Sequence, residues 1–221
     1  DSPDNPLDCE SCHDAQPHKL AILDRHTDRV NCTVCHIPTF AKKDPTDMVR
    51  DWSTPQRHEV ANKWSATITM GQDVQPVYAW FNGKSRITLM GEPVRPDADG
   101  VVTLMRPEGS RKDKAAKIHA FKLHQATVPL LEGRNWLIPL AVDEFFIDGD
   151  LHKAVVDGAE AAYGVHDQPY RWIPVRRYMG IFHEVQPAAQ ALECLDCHRE
   201  GGRMDWAALG YKGDPLLEAI D

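Results

Sequence analysis

Six cysteines carry the most informative chemistry in this sequence, because all of them fall into three copies of one short motif. Each copy reads Cys-x-x-Cys-His, the attachment signature of a c-type haem. Two thiols at this spacing can bond the two vinyl groups of one haem, and the histidine that follows lies under the iron. We therefore predict three covalently bound haem c groups. The residues are Cys9, Cys12 and His13 in motif one, Cys32, Cys35 and His36 in motif two, and Cys194, Cys197 and His198 in motif three.

Structural zinc and disulfide bonds are the alternative uses of these cysteines. Residues 13–31 separate the first two pairs, and this spacing also suits a four-cysteine zinc site. Zinc, however, leaves the histidine after every pair unexplained and gives the third pair no partner. Neither alternative accounts for the whole repeated pattern, so haem is the favoured interpretation.

Each iron needs a second axial ligand, and the histidines outside the motifs are the first candidates among the 11 in the chain. Closeness in sequence to a motif is the available guide to which of them bind. The expected ligands are His18 and His26, between motifs one and two, His183, shortly before motif three, and then His124. Methionine is the competing ligand type, but we expect the methionines to be flexible core residues. With every iron six-coordinate, no catalytic residue is predicted.

The charge of the chain limits its partners. Lys and Arg number 25 against 33 Asp and Glu, which gives a formal net charge of −8, and haem propionates add negative charge. Nucleic acid and anionic membranes are poor partners for such a surface. We expect the partner to be a periplasmic redox protein, or a membrane quinol-oxidising or terminal enzyme, with a basic docking surface.

The location follows from the motif and from hydropathy. No run of about 20 apolar residues is present, so no transmembrane segment is predicted. Haem attachment of this type takes place outside the cytoplasm. Because the chain starts at Asp1 without a basic and hydrophobic leader, we predict a periplasmic protein whose signal peptide has been removed.

The elements that hold the motifs divide the chain into three segments. Residues 1–47 form a two-haem segment, residues 48–178 a haem-free insert, and residues 179–221 a third-haem segment. We expect the three to form one compact unit. The predicted fold class is α+β with much irregular structure, a haem-packed multihaem cytochrome c with short helices at the motifs and a small β-hairpin region. The 16 Pro and 14 Gly favour many turns.

Within these segments, turn and cap residues mark four elements. Apolar residues 77–81 and 85–90 flank an Asn-Gly pair, which predicts a β-hairpin, and residues 101–104 predict a further strand. Asp150 and Gly164 bracket a helix predicted over residues 151–163. Pro187 begins another predicted helix, over residues 187–193, directly before motif three.

Several stretches, in order, resemble the octahaem tetrathionate reductase family of multihaem cytochromes c. They are residues 26–42, 51–53, 78–83, 116–118, 121–124, 191–206 and 209–215. The resemblance implies a haem-packed periplasmic protein with mostly bis-histidine irons, and it supports His18, His26 and His183 as distal ligands. In that family the catalytic haem, which has an unusual lysine ligand, belongs to the part upstream of the match. The resemblance therefore covers the electron-transfer part of the family.

Two functions are consistent with this sequence. The favoured one is a trihaem electron carrier or relay between redox partners. The alternative is a haem-based reductase of a sulfur or nitrogen oxyanion, such as tetrathionate, nitrite or hydroxylamine, in which one iron keeps an exchangeable position. Candidates for holding the oxyanion are Arg111, Lys112, Lys114 and Lys122.

Overall fold

The structure, a computed structural model, describes residues 8–217 as an α+β fold built on one large mixed sheet. The strands are β1 (Thr46–His58), β2 (Lys63–Gly71), β3 (Val77–Phe81), β4 (Ser85–Ile87), β5 (Val102–Pro107), β6 (Lys117–Leu131), β7 (Trp136–Leu137) and β8 (Tyr170–Gly180). The helices are α1 (Ala21–Thr27), α2 (Cys32–His36), α3 (Val142–Asp148), α4 (Leu151–Tyr163) and α5 (Cys194–Cys197). Single 3₁₀ turns cover Cys9–Ser11 and Ala188–Gln190. No helix in residues 8–217 is long and apolar enough to cross a membrane.

The long strand β6 organises the sheet. The strand order is β2-β1-β6-β8-β5-β4, and β3 and β7 also pair with β6. The β1–β6 and β5–β8 pairs are parallel, whereas the other pairs are antiparallel. Burial alternates along most of β6, so one of its faces is covered by other parts of the chain.

The prediction of a small β-hairpin region was wrong, because the structure has an eight-stranded mixed sheet in its place. The two predicted hairpin strands do not pair with each other: β3 pairs with β6, and β4 pairs with β5. Trp80 explains why β3 pairs with β6, because its ring is buried in a cluster with Ile118 of β6. Its indole N–H also donates to the Leu209 carbonyl at 2.8 Å. Asn82 redirects the chain after β3, because its side chain accepts from the backbone of Lys84 and its own N–H donates to Glu108. Burial outweighs the local turn signal here.

The cap residues of α4 predicted that helix well. Asp150 accepts from the backbone N–H of Lys153 at 2.9 Å, and Gly164 ends the helix in the left-handed region with φ of 64°. The strand predicted at residues 101–104 is present as β5. The helix predicted over residues 187–193 was wrong, because only one 3₁₀ turn forms there. The backbone of Leu192 instead donates to Cys35, which ties this segment to motif two.

The beginning of strand β6 positions motif two. The backbone N–H of Asn31 donates to Ile118, and that of Ile118 donates to Arg29, both at 2.8 Å. Val34 of α2 packs into a buried cluster with Trp80 and Ile118. The sheet is therefore the scaffold against which the short motif helix is held.

Candidate haem-binding site

Motif two forms helix α2, and both ends of the helix are fixed. The Asn31 side chain accepts from the backbone N–H of Thr33 at 3.0 Å, which caps the first turn. At the other end, the His36 ring places Nδ1 2.9 Å from the carbonyl oxygen of Gln186. The carbonyl can only accept, so Nδ1 carries the proton and Nε2 of His36 has a free lone pair.

Motif three forms helix α5, and its histidine is anchored by a carboxylate. His198 places Nδ1 2.7 Å from Oδ1 of Asp214, whose side chain is buried. The ring also stacks on Trp206, with centroids 5.2 Å apart. This carboxylate–histidine contact fixes the tautomer and makes Nε2 a better metal ligand.

Motifs two and three touch each other. The backbone N–H of Leu192 donates to the Cys35 carbonyl at 2.9 Å, and the guanidinium of Arg203 donates to the carbonyl of Pro38 at 2.5 Å. The thiols are neighbours as well. Burial and, after it, the nearby Cys35 raise the pKa of Cys197 to about 11. Groups bound at these two motifs would lie side by side.

Motif one is much less enclosed. It forms a single 3₁₀ turn capped by Asp8, and Cys9, Cys12 and His13 are all exposed. An ion pair of 3.5 Å between Glu10 and Lys117 connects it to β6. Its first thiol, that of Cys9, lies near Cys32 of motif two. Burial and then this neighbouring thiol raise the pKa of Cys9.

Two histidines from outside the motifs face motif histidines. The rings of His18 and His36 have centroids 6.4 Å apart with an interplanar angle of 24°. The rings of His26 and His198 have centroids 6.1 Å apart at 77°. His18 precedes α1 and His26 lies on it, so this seven-residue helix connects the motif two and motif three regions. His18 is nearest in sequence to motif one but faces motif two. His26 is nearest to motif two but faces motif three.

The spacing of both pairs suits a metal ion held between two imidazoles. Metal–imidazole bonds are about 2.0–2.1 Å long, so two rings on opposite sides of one ion have centres roughly 6.3 Å apart. The outer histidines are also oriented as ligands usually are. His18 places Nδ1 3.0 Å from Asp24, and His26 places Nδ1 2.8 Å from the Ile22 carbonyl, which leaves Nε2 free in both. The residues present therefore fit two bis-histidine haem irons.

Apolar side chains beside the motifs fit the porphyrin as well. Leu20 is 61% exposed and lies close to His18 in the chain, and Leu195 is 64% exposed and lies within motif three. A porphyrin ring offers broad apolar surface, and its burial against such side chains would be favourable by about 25 cal/mol per Å².

The other expected ligands have different surroundings. His183 follows β8 and is exposed, and no motif imidazole contacts its ring within residues 8–217. His124 is buried on β6, where Nε2 lies 3.3 Å from Asp47. His119, also on β6, packs edge-on against Phe81 and Phe182, and its buried Nδ1 has no hydrogen-bond partner within the described residues.

The zinc and disulfide alternatives find no support in the geometry. No disulfide bond joins any two of the six cysteines. In the part of the chain that the structure describes, no three His, Cys, Asp or Glu side chains lie close enough to share one metal ion. A structural zinc ion requires four ligands around one point.

Sequence reasoning missed the partners that orient the imidazoles. Asp24 and Asp214 are the carboxylates, and the carbonyls belong to Ile22 and Gln186. Asp214 follows motif three by 16 positions, and its role becomes visible only in the folded chain. His119 was also not among the expected ligands. An apolar strand that contains a histidine was the available signal for it.

Comparisons with known proteins identify the family of this chain. The chain matches the family model described as bacterial cytochrome c over residues 41–201. It belongs to the bacterial cytochrome c family. It also matches the crystal structure of octahaem cytochrome c from Shewanella oneidensis, with a TM-score of 0.84 and 34% sequence identity. No curated protein matches the chain.

The structural match confirms the resemblance predicted from the sequence. It covers 96% of this cytochrome and 53% of the octahaem protein, so this chain spans about half the length of that relative. The chain is thus a multihaem cytochrome c related to an octahaem cytochrome.

Proposed function

We propose that this cytochrome binds three covalent haem c groups and relays single electrons between redox partners. The observation that carries the proposal is the pair of facing imidazoles, His18 with His36 and His26 with His198. Two of the irons would then have both axial positions filled by histidine. Bound haem supplies one-electron chemistry at its iron, and a six-coordinate iron exchanges electrons without binding substrate.

Helix α1 has a central role in this proposal. It would carry His26, the distal ligand of the motif three iron, and the segment that leads into it would carry His18, the distal ligand of the motif two iron; these two motifs lie far apart in sequence but touch in the fold. Motif two also neighbours motif one through Cys32 and Cys9. The three haems would therefore form a row with motif two in the middle.

The iron of motif one has two candidate distal ligands. One is His183, which the sequence analysis expected to be a ligand because it lies shortly before motif three, and which is exposed. His119 is better supported by the structure, because it lies two residues along β6 from Lys117, whose side chain pairs with Glu10 of motif one. Alternate residues of a strand share a face, so His119 points to the same side as Lys117. Nδ1 of His119 is also buried, and it has no hydrogen-bond partner among the described residues. Buried polar atoms almost always have a partner, so this ring requires one.

The reductase alternative rests on the same motif. No imidazole contacts His13 within residues 8–217, whereas His36 and His198 each face one. An iron with an exchangeable position at motif one could bind a sulfur or nitrogen oxyanion. Lys117 lies beside this motif, and Lys112 and Lys114 come shortly before Lys117 in the chain.

Location and partner belong to the same proposal. Attachment of haem c outside the cytoplasm supports a periplasmic protein. The net charge of −8 supports docking to a redox protein, or to a membrane quinol-oxidising or terminal enzyme, through a basic surface. We expect this docking to weaken as salt is added.

Two measurements test the proposal. The intact mass should exceed that of the polypeptide by three haems, and thiol labelling of the denatured protein should find no free cysteine. Two or more reactive thiols would contradict the haem count. The reduced protein should not bind carbon monoxide if every iron is six-coordinate. Carbon monoxide binding at one haem per chain would favour the reductase.

A further inference from the structure

A group of basic side chains lies on one face of the sheet, on strands β1, β6 and β8. Lys122 and His124 are alternate residues of β6, and Arg177 of β8 is the direct cross-strand partner of His124. Arg50 of β1 pairs with Ala126, two further residues along β6. Directly paired and alternate residues share a face of a sheet, so the four side chains lie on one face, drawn from three adjacent strands.

Positive charge exceeds negative charge in this group. Arg50 donates to Oδ2 of Asp47 at 2.8 Å and 2.5 Å, so one carboxylate is already engaged by one guanidinium. Lys122 donates to the neutral hydroxyl of Thr46 at 2.8 Å. Arg177 is exposed and forms no ion pair with a described residue. Two of the three permanent cations therefore lack an anionic partner.

His124 forms the buried floor of the group. It is 7% exposed, and its Nδ1 has no hydrogen-bond partner within the described residues. Buried polar atoms in folded proteins are almost always hydrogen-bonded, so this atom requires an explanation. The charges that act on His124 are Asp47, Arg177 and Lys122. Oδ1 of Asp47 is also buried without a hydrogen bond, and it lies 3.3 Å from Nε2 of His124.

We propose that Arg50, Lys122, His124 and Arg177 bind a carboxylate or a small oxyanion. Lys122 and Arg177 supply the charge at the open side. A proton taken up by His124 pairs Nε2–H with Asp47 and adds a positive charge to the floor of the site. Binding is thereby coupled to protonation, and affinity increases as pH falls. Burial lowers the pKa of His124, Asp47 raises it, and Arg177 and Lys122 lower it, so an anion bound beside these two cations would raise it.

Two sources supply this ligand chemistry. One is a free oxyanion from solution. The other is a propionate of the haem at motif two, because Met48 follows Asp47 and packs with Ile37, the residue after His36. Both present carboxylate-like oxygens to the same donors.

Sulfate is a suitable probe for the holoprotein, titrated by calorimetry at constant ionic strength and at two pH values. If the site takes free oxyanions, one sulfate binds per chain, more tightly at pH 5.5 than at pH 8. Arg177→Gln and Lys122→Gln each weaken binding about tenfold or more, as expected for charged hydrogen bonds. Arg171→Gln is the matched control, because Arg171 is an exposed arginine further along the same strand.

Resonance Raman spectra of the same variants identify a propionate. If haem occupies the site, sulfate does not bind, and a propionate bending mode shifts in Arg177→Gln and Lys122→Gln but not in Arg171→Gln. The proposal is overturned if the holoprotein shows neither saturable sulfate binding nor a propionate shift. Equal sulfate affinity in all three variants overturns it too. Circular dichroism of each variant confirms that the sheet is intact.

Discussion

Motif one and the pair formed by motifs two and three have the same Cys-x-x-Cys-His sequence but very different surroundings. His36 and His198 each face a second imidazole and are each held through Nδ1. His13 lies on an exposed turn, and one ion pair to β6 connects its motif to the sheet. The attachment motif therefore specifies where a haem is bonded, while the second ligand and the enclosure depend on residues that the fold supplies.

This contrast assigns different tasks to the two regions. In the proposed function, the irons at motifs two and three would have ligands on both sides and would suit transfer within the protein. Motif one lies at the surface, where an electron can enter or leave, or where an exchangeable ligand can bind.

Replacing a paired histidine should open one iron in the closed region. In His26→Ala we expect a high-spin ferric signal and carbon monoxide binding at one reduced haem, because the sixth ligand of the motif three iron is lost. His18→Ala should have the same effect at the motif two iron. Electron paramagnetic resonance and carbon monoxide difference spectra measure both.

His166→Ala is the control for these variants, because His166 is exposed and pairs only with Glu160. It should retain the low-spin spectrum of the parent protein. If His26→Ala also remains entirely low-spin, the pairing of His26 with His198 does not reflect ligation.

These two histidines show how far the sequence could lead. Their residue type and position near the motifs predicted that they are ligands, but not which iron each one serves. His26 and His198 are 198 − 26 = 172 positions apart, and only the contact of motif two with motif three brings them together. Closeness in sequence predicted neither partner.

The fold shows the same division between local and non-local signals. Asp150 and Gly164 predicted α4 because a helix cap is formed by neighbours in sequence. The sheet was missed because β6 pairs with β1, β3, β7 and β8, and most of these contacts cross tens of residues. The chain changes direction at Asn82-Gly83, as the Asn-Gly pair predicted, but the burial of Trp80 against β6 determined which strand β3 pairs with.

A second comparison concerns the distal ligand at motif one. If His119 binds that iron, His119→Ala should create a high-spin haem and carbon monoxide binding, while His183→Ala should leave the spectrum unchanged. The reverse result would assign this position to His183, which the sequence analysis expected to be a ligand without assigning it to motif one. Carbon monoxide binding in the parent protein would show that neither fills the position and would support the reductase.

The anchors of the paired imidazoles should tune the potentials. Each pair has one ring held by a carboxylate, from Asp24 or Asp214, and one held by a carbonyl. A carboxylate stabilises the more positive ferric state, so Asp214→Asn should raise the midpoint of one haem by about 50 mV, roughly a tenfold change in the equilibrium. Asp24→Asn should raise a different one.

Potentiometric titration with resolved components measures these shifts. Asp44→Asn is the control, because Asp44 is exposed and has no hydrogen bond to another described residue. The parent midpoints should lie mostly below 0 mV, on the order of those expected without a methionine ligand. A major component well above roughly +200 mV would contradict bis-histidine ligation.

The smallest effect is expected at the connection of motif one to the sheet. The Glu10–Lys117 pair is 3.5 Å long, and both side chains are partly exposed. Exposed pairs of this kind contribute about 0–1 kcal/mol, so Lys117→Met should barely change the free energy of unfolding. Because this pair connects an otherwise exposed turn to β6, hydrogen exchange of residues 8–13 should nevertheless become faster, and added salt should reduce the difference from the parent.

Lys153→Met is the matched control, because Lys153 also forms exposed ion pairs, with Glu144 and Asp157, but lies on α4. It should leave exchange at motif one unchanged. If Lys117→Met and Lys153→Met affect residues 8–13 equally, the ion pair does not hold the motif, and apolar contact with the haem must position it. If Lys117→Met speeds exchange at motif two as well, the two regions unfold together, and the contrast between an open and a closed region does not hold in solution.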